Sequence, residues 1–257
     1  MTVSIAVAGK GGSGKTTTSA LIIRELLSLK LSPILAVDAD GNTNLHENLG
    51  IKVDKTIGSV IDRFNSEKDR VPQGLAKRDY LSVLLNDAIA ESKGFDLISM
   101  GHGAGSGCYC YPNNMLKEFL DKLKPNYNFM VLDNEAGMEH ISRGTTDDIN
   151  ILLIVSDYSI KSIRTAARIR ELVDTLKLDV KHTCFVVTQV PKTKSPLFNS
   201  ELSVLGIKPL AFIPYCDKVE LFDLKQLSLL DLDETSPAAY SVSKLVEEIL
   251  TITGEKK

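Results

Sequence analysis

Apolar positions along the chain follow two alternating rhythms. Residues 3–8 form a short apolar run that stops at glycine, as a strand buried on both faces does. Residues 16–30 then repeat apolar positions at helical spacing, with Ala20, Ile23, Leu26 and Leu27 on one face. Residues 34–38 read as a second buried strand entered after Pro33, and further apolar runs follow at 95–100, 129–132, 151–155, 184–187 and 210–213. Helical patterns at 115–123, 160–178 and 242–250 separate most of these. Residues 56–91 are mainly polar, with amphipathic patches at 60–64 and 81–89. Seven short apolar runs alternating with helices predict an α/β fold: a mostly parallel central sheet with helices on both faces. No repeat, low-complexity tract or linker interrupts the pattern, so residues 1–257 are expected to form one domain.

Composition narrows the class. The 257 residues are 43% hydrophobic and 25% charged, an ordinary globular balance. A formal net charge of -3 gives no global positive field for nucleic acid. The first residues carry no basic n-region, and no stretch of about 18 apolar residues occurs, so neither a signal sequence nor a membrane span is expected. The four cysteines, Cys108, Cys110, Cys184 and Cys216, do not suggest a disulfide framework in a chain with its own core. A cytoplasmic protein is the expectation.

Chemistry enters at the first strand-to-helix turn. Gly9-Lys10-Gly11-Gly12-Ser13-Gly14-Lys15-Thr16 matches G-x-x-x-x-G-K-[ST] between a strand and a helix, the context a P-loop requires. Glycines let successive backbone N–H groups curl around phosphate oxygens, and the helix N-terminus adds a positive dipole end. Lys15 is placed to neutralise the β- and γ-phosphates, Thr16 to ligate Mg²⁺, and Thr17 extends the cradle. Two carboxylate loops follow. Residues 34–38 run into Asp38-Ala39-Asp40-Gly41-Asn42-Thr43-Asn44, and residues 129–132 run into Asp133, a Walker B arrangement in which the carboxylate holds a Mg²⁺-bound water.

With Lys10 included, the turn resembles the deviant Walker A family of P-loop NTPases, which contains septum-site and partition ATPases and the nitrogenase iron proteins. The resemblance implies ATP or ADP with Mg²⁺ as ligands and a homodimer in which Lys10 reaches the partner's phosphates. Such a contact acts like an arginine finger supplied in trans, a device worth about 10³–10⁵ in rate in GTPases. It further implies that Asp40 positions or polarises the attacking water, while Asp38 and Asn44 support the Mg²⁺ shell and the first switch. Asp133-Asn134-Glu135-Ala136-Gly137 is similar to the second switch, whose glycine swings with the γ-phosphate. The family reads adenine with an asparagine after its sixth strand. Val186-Val187-Thr188-Gln189-Val190 stands there instead, and Gln189 carries the same amide on a longer stem. Ile213-Pro214-Tyr215-Cys216-Asp217 resembles the loop that flanks the base, with Pro214 against it.

A second element narrows the class further. Gly101-His102-Gly103-Ala104-Gly105-Ser106-Gly107-Cys108-Tyr109-Cys110-Tyr111-Pro112 follows the 95–100 run. Cysteines at i and i+2 on extended chain point to one side, and two thiolates fill half of a tetrahedral soft-metal site. A two-fold axis would bring the identical pair and complete it. Two small packed cysteines are the bland alternative; Cys184, in an apolar run, and Cys216, in the base loop, are read as structural. Together with the P-loop and Asp133-Asn134-Glu135-Ala136-Gly137-Met138-Glu139-His140, this loop resembles the CooC-type ATPases over residues 2–218. That resemblance implies an ATP-driven metallochaperone carrying Ni²⁺ or Zn²⁺ on Cys108 and Cys110. Its partner would be the apo-protein of a nickel enzyme, carbon monoxide dehydrogenase or acetyl-CoA synthase. His102 and His140 are read as surface or switch residues. Two other readings compete. An iron protein with a cluster bridging the dimer needs a cysteine just beyond the second switch, and none follows Asp133 until Cys184. A positioning ATPase needs a basic amphipathic helix or basic surfaces, whereas Glu247 and Glu248 occupy the polar side of the 242–250 helix, expected to dock on the sheet.

Overall fold

Seven consecutive buried residues make β1 (Val3–Gly9) the centre of the structure. Residues 2–67, 74, 76–101, 118–136 and 148–255 are described by the computed structural model. β1 lies between β5 (Phe129–Asp133) and β6 (Ile149–Asp157), parallel to both. On the β5 side the sheet continues through β2 (Ile34–Asp38) and β4 (Phe95–Ser99); on the β6 side it continues through β7 (Val180–Val190) and β8 (Pro209–Pro214). A short β3 (Ile89–Glu91) completes eight strands, in the order β3-β4-β2-β5-β1-β6-β7-β8. Every pairing is parallel except that of β3 with β4.

The period of two along each strand divides the apolar side chains between two cores. Ile5 and Val7 face helix α1 (Lys15–Ser28) and the helix Pro237–Thr253, while Ala6 and Ala8 face the opposite layer. That second layer contains α3 (Ile57–Glu67), α4 (Lys77–Asn86) and the helix Ile160–Leu176. The short α2 (Leu45–Leu49) joins the first core through both of its terminal leucines. From β1 the chain crosses outward to β2 and β4 and returns to β5 beside β1 before building the other half of the sheet. Strand order therefore reverses around β1, and the crevice beyond its carboxyl end is where open α/β sheets bind ligands.

Apart from the terminal residues, the predicted runs coincide with seven of the strands. β3 is the exception, because the 81–89 patch reads as amphipathic and ends where the strand begins. A three-residue edge strand, half-exposed and paired on one side, leaves no apolar run to read. β7 also begins at Val180 rather than 184, since Lys181, His182 and Thr183 that follow are polar and at least partly exposed. The last helix starts at Pro237, where the Ser236 hydroxyl accepts a hydrogen bond from Ala239 N–H at 3.3 Å. Residues 118–123 are helical, and the start of the predicted 115–123 helix lies outside the described residues.

Candidate functional site

Backbone geometry at the end of β1 explains the glycines. A Cβ on Gly9 would stand 2.2 Å from the Val155 carbonyl oxygen, so no side chain fits where β1 passes β6. Gly14 precedes α1 with φ of 81°, a left-handed conformation favouring glycine. No side chain caps α1, which leaves its leading N–H groups to the crevice. Ser13 is fully buried, and its hydroxyl makes no hydrogen bond.

The two lysines of this turn have opposite surroundings. Lys15 is 7% exposed, and its Nζ donates to the Lys10 carbonyl oxygen at 3.4 Å, curling the loop around its own ammonium. The side chain of Lys10 is exposed.

Asp38 and Asp133 are Cα partners across β2 and β5, and both are buried. Asp38 organises the turn that follows it: one carboxylate oxygen accepts Asp40 N–H at 3.1 Å, the other Leu45 N–H at 3.0 Å. Asp133 accepts the Ser19 hydroxyl at 3.2 Å and is also bonded by Thr16. Burial pushes the Asp133 carboxyl up to about 7, against the Thr16 hydrogen bond and with the charge of Asp38 adding to it. Burial likewise raises Asp38 to about 6, opposed by the Leu45 and Asp40 amides. Asp40 is half-buried at the crevice wall, and its Oδ1 accepts Asn42 N–H at 2.9 Å.

These shifts have a definite sign. An unfolded aspartate ionises near 3.8, so between about pH 4 and 7 the folded protein holds protons that the unfolded chain has released. Unfolding is therefore eased by Asp133 as pH rises through that window, and the loss is complete above it. Asp133→Asn should remove this term. The variant's stability advantage over the parent should grow by about 2–3 kcal/mol between pH 4.5 and 7 and then level off. Urea unfolding of both proteins across that range checks it; an advantage independent of pH would contradict the raised carboxyl.

A cleft of about 730 Å³ joins the turn to the far half of the sheet. Gly11, Gly12, Gly14, Lys15, Thr16 and Thr17 form one wall, and Asp40, Asn44 and Glu135 lie at its edge. Gln189, Pro214, Tyr215 and Cys216 form the other. Gln189 has φ of 53°, and its Nε2 donates to the Gly12 carbonyl oxygen at 3.3 Å, so its amide nitrogen is engaged on the glycine turn. Among the described residues, the cleft lining takes in Gly11, Gly12, Gly14, Lys15, Thr16, Thr17, Asp40, Gln189 and Pro214 of those expected from the sequence to serve the nucleotide. Gly9, Ser13, Asp38 and Asp133 lie behind its surface, and Lys10 lies outside its lining.

Two contributors carry no sequence motif of their own. The Thr188 hydroxyl donates to the Ser13 carbonyl oxygen at 2.7 Å and lies 3.3 Å from that of Ser156, pinning the glycine turn to β7. Asn134 holds the end of β5 to β1, with both its backbone N–H and its Nδ2 on the Val7 carbonyl oxygen at 3.0 Å. Their only sequence signal is adjacency to residues already singled out.

Cys108, Cys110, His102, Gly137 and His140 lie outside the described residues. Among the described residues, no group of three or more His, Cys, Asp or Glu side chains is arranged to hold a metal. Cys184 is partly buried in β7, its thiol pushed up by burial. Cys216, expected to be structural, stands in the cleft wall. Among the described residues no helix is long and apolar enough to cross a membrane.

Comparison with known proteins bears on the same cleft. Residues 4–229 match the CobQ/CobB/MinD/ParA nucleotide binding domain. An uncharacterised ATP-binding protein of Methanocaldococcus jannaschii is 38% identical over 248 residues, covering 96% of this chain and 98% of its own length. The carbon monoxide dehydrogenase accessory protein CooC of Rhodospirillum rubrum is 28% identical over 251 residues, covering 92% and 91%. The septum site-determining protein MinD of Pyrococcus horikoshii, solved with Mg-ADP, superposes with a TM-score of 0.70 at 21% identity over the full length of both chains.

Proposed function

The chain belongs to the CobQ/CobB/MinD/ParA nucleotide binding family, whose members are ATPases, and from this premise we propose that it hydrolyses ATP as a dimer to deliver nickel. On this reading residues 1–257 act as one cytoplasmic ATPase domain. The observation that carries it is the contrast between the two lysines of one turn. Lys15 is buried against its own loop and serves the phosphates held there, whereas exposed Lys10 is available to a second copy.

The residues fit Mg-ATP. Open, left-handed turns at Gly12 and Gly14 and an uncapped helix start form a phosphate cradle, with the unpartnered Ser13 hydroxyl between the two glycines. Thr16, Asp38 and Asp133 supply hard oxygen donors of the kind Mg²⁺ takes, directly or through water. Thr16, Asp38 and Asp133 would hold Mg²⁺, whose charge would offset the negative charge that develops during phosphoryl transfer. Asp40 orients the attacking water. Gln189 and Pro214 flank the base, which supports adenine through the loop's resemblance to adenine-binding relatives.

Cargo is assigned to Cys108 and Cys110, with Ni²⁺ or Zn²⁺ held by two such pairs across the dimer axis. Support comes from the Cys-x-Cys sequence and from the relative named as a carbon monoxide dehydrogenase accessory protein, which matches nearly the whole chain. The recipient would be a carbon monoxide dehydrogenase or an acetyl-CoA synthase apo-protein. Likeness to septum-site proteins favours a second reading, a positioning ATPase. The helix Pro237–Thr253 weighs against its membrane-binding form: Val242, Leu245, Val246, Ile249 and Leu250 are all buried on the sheet side, leaving no apolar face to enter a lipid surface.

Sedimentation tests the dimer. Mg-ATP should drive the parent protein into dimers, and Lys10→Ala should weaken that association about tenfold or more through loss of a charge-assisted contact to the partner's phosphates. Equal ATP-induced association of parent and variant would remove the trans-acting lysine.

A further inference from the structure

Three strands end in a row of polar side chains. Ser99 on β4 is the Cα partner of Asp38 on β2, which is the partner of Asp133 on β5. Two and four residues earlier the same strands place Leu97 and Phe95, Ala36 and Ile34, and Val131 and Phe129 in the core against α1. By the period of two, Ser99, Asp38 and Asp133 therefore share that face at neighbouring positions, about 5 Å apart from strand to strand. All three are buried, Ser99 completely.

Of the three, Ser99 alone has an idle polar group. Its hydroxyl has no hydrogen-bond partner, although buried polar groups are costly to leave unsatisfied. β3 stops short of it, pairing no further along β4 than Ile98, so the polar neighbour in the row is Asp38. The Asp38 carboxylate has its oxygens on Asp40 N–H and Leu45 N–H, and it retains acceptor capacity because a carboxylate offers about four lone-pair sites. The backbone beside Ser99 is fixed: Met100 N–H donates to the Asp38 carbonyl oxygen at 2.8 Å, and Gly58 N–H to that of Met100 at 2.8 Å. Rotation about χ1 is the freedom left to the hydroxyl.

We propose that Ser99 is a positioning residue of the Mg-nucleotide site, its hydroxyl donating to the Asp38 carboxylate when residues 39–45 rearrange around bound nucleotide. This rests on the ATPase reading given above. Ser99 acts through Asp38 and touches neither nucleotide nor metal. A hydroxyl idle in one state and bonded in the other favours the nucleotide-loaded arrangement of the turn, which a wholly apolar strand end does not.

Ser99→Ala in the full chain tests it, read by binding of a fluorescent ADP analogue against Mg²⁺ concentration and by the melting temperature of the nucleotide-free protein. Removing one hydrogen bond to a charged group should raise the Mg²⁺ needed for half-maximal tight binding about tenfold. Binding in EDTA should stay within about twofold, and the nucleotide-free protein should melt no lower than the parent, since no native hydrogen bond is lost. Ser99→Thr, which keeps the hydroxyl, should restore the Mg²⁺ response. A Mg²⁺ response in Ser99→Ala equal to that of a Mg²⁺-dependent parent overturns the role of Ser99 alone. A lower melting point with no selective Mg²⁺ effect also overturns it, showing a packing role. A parent whose analogue binding ignores Mg²⁺ overturns the ATPase reading itself, and Ser99 with it.

Discussion

Asp40→Ala is expected to slow ATP turnover at least about a hundredfold, the lower end of what a positioned acid–base group contributes, while ATP affinity changes only a few-fold. The geometry separates the two effects. Affinity rests on the glycine turn, the start of α1 and buried Lys15, none of which touches Asp40 through a hydrogen bond given by the structure. The Asp40 carboxylate instead caps Asn42 N–H at the cleft edge, on the turn held by Asp38. Its removal leaves the cradle intact, so the variant should accumulate in the ATP-bound, dimeric state. Single-turnover hydrolysis measured beside equilibrium ATP binding separates these quantities. Near-parental turnover would sink the assignment of Asp40, and parallel loss of binding would make it structural.

Cysteine replacement should have the second large effect. Cys108→Ala or Cys110→Ala removes two of four thiolates at once, because the proposed site repeats each cysteine across the dimer axis. The loss in Ni²⁺ or Zn²⁺ affinity should exceed the roughly 10–100-fold that follows removal of a mere outer-shell partner. The apo-protein should stay folded and keep its ATP affinity, since the core and the cleft formed by the described residues supply both. In the parent, one metal per two chains is expected, with affinity falling at acid pH as thiolates are protonated. Cys184→Ala and Cys216→Ala should leave metal binding unchanged. Competition titration under anaerobic conditions, with an optical scan of the purified protein, distinguishes the outcomes. One tightly held metal per monomer, indifferent to Cys108 and Cys110, would contradict the shared site. Iron–sulfur absorbance would favour the iron-protein reading instead.

Features with a local cause were readable from the residues alone. Continuous apolar runs announce strands buried on both faces, because no polar face remains to alternate with. A glycine string between such a strand and a helix announces a phosphate cradle, since few other residues let the backbone turn so tightly. Asp38 and Asp133 were legible because each ends a strand, Asp40 because it lies two residues beyond one, and Lys15 because it closes the glycine string. How distant segments meet depends instead on the folded packing. Thr188 clamps Ser13 from 175 residues away, Gln189 reaches Gly12 across 177, and Arg24 on α1 holds the Leu232 carbonyl oxygen across 208. The alignment of Ser99 with Asp38 and Asp133 likewise depends on the register of three strands separated in the chain. β3 escaped the sequence because a short edge strand owes its existence to the neighbour it pairs with rather than to its own pattern. Local signals arise from backbone freedom and from burial repeated along one segment. Register and clamps arise from packing between segments, where the identity of one residue does not encode the position of the other.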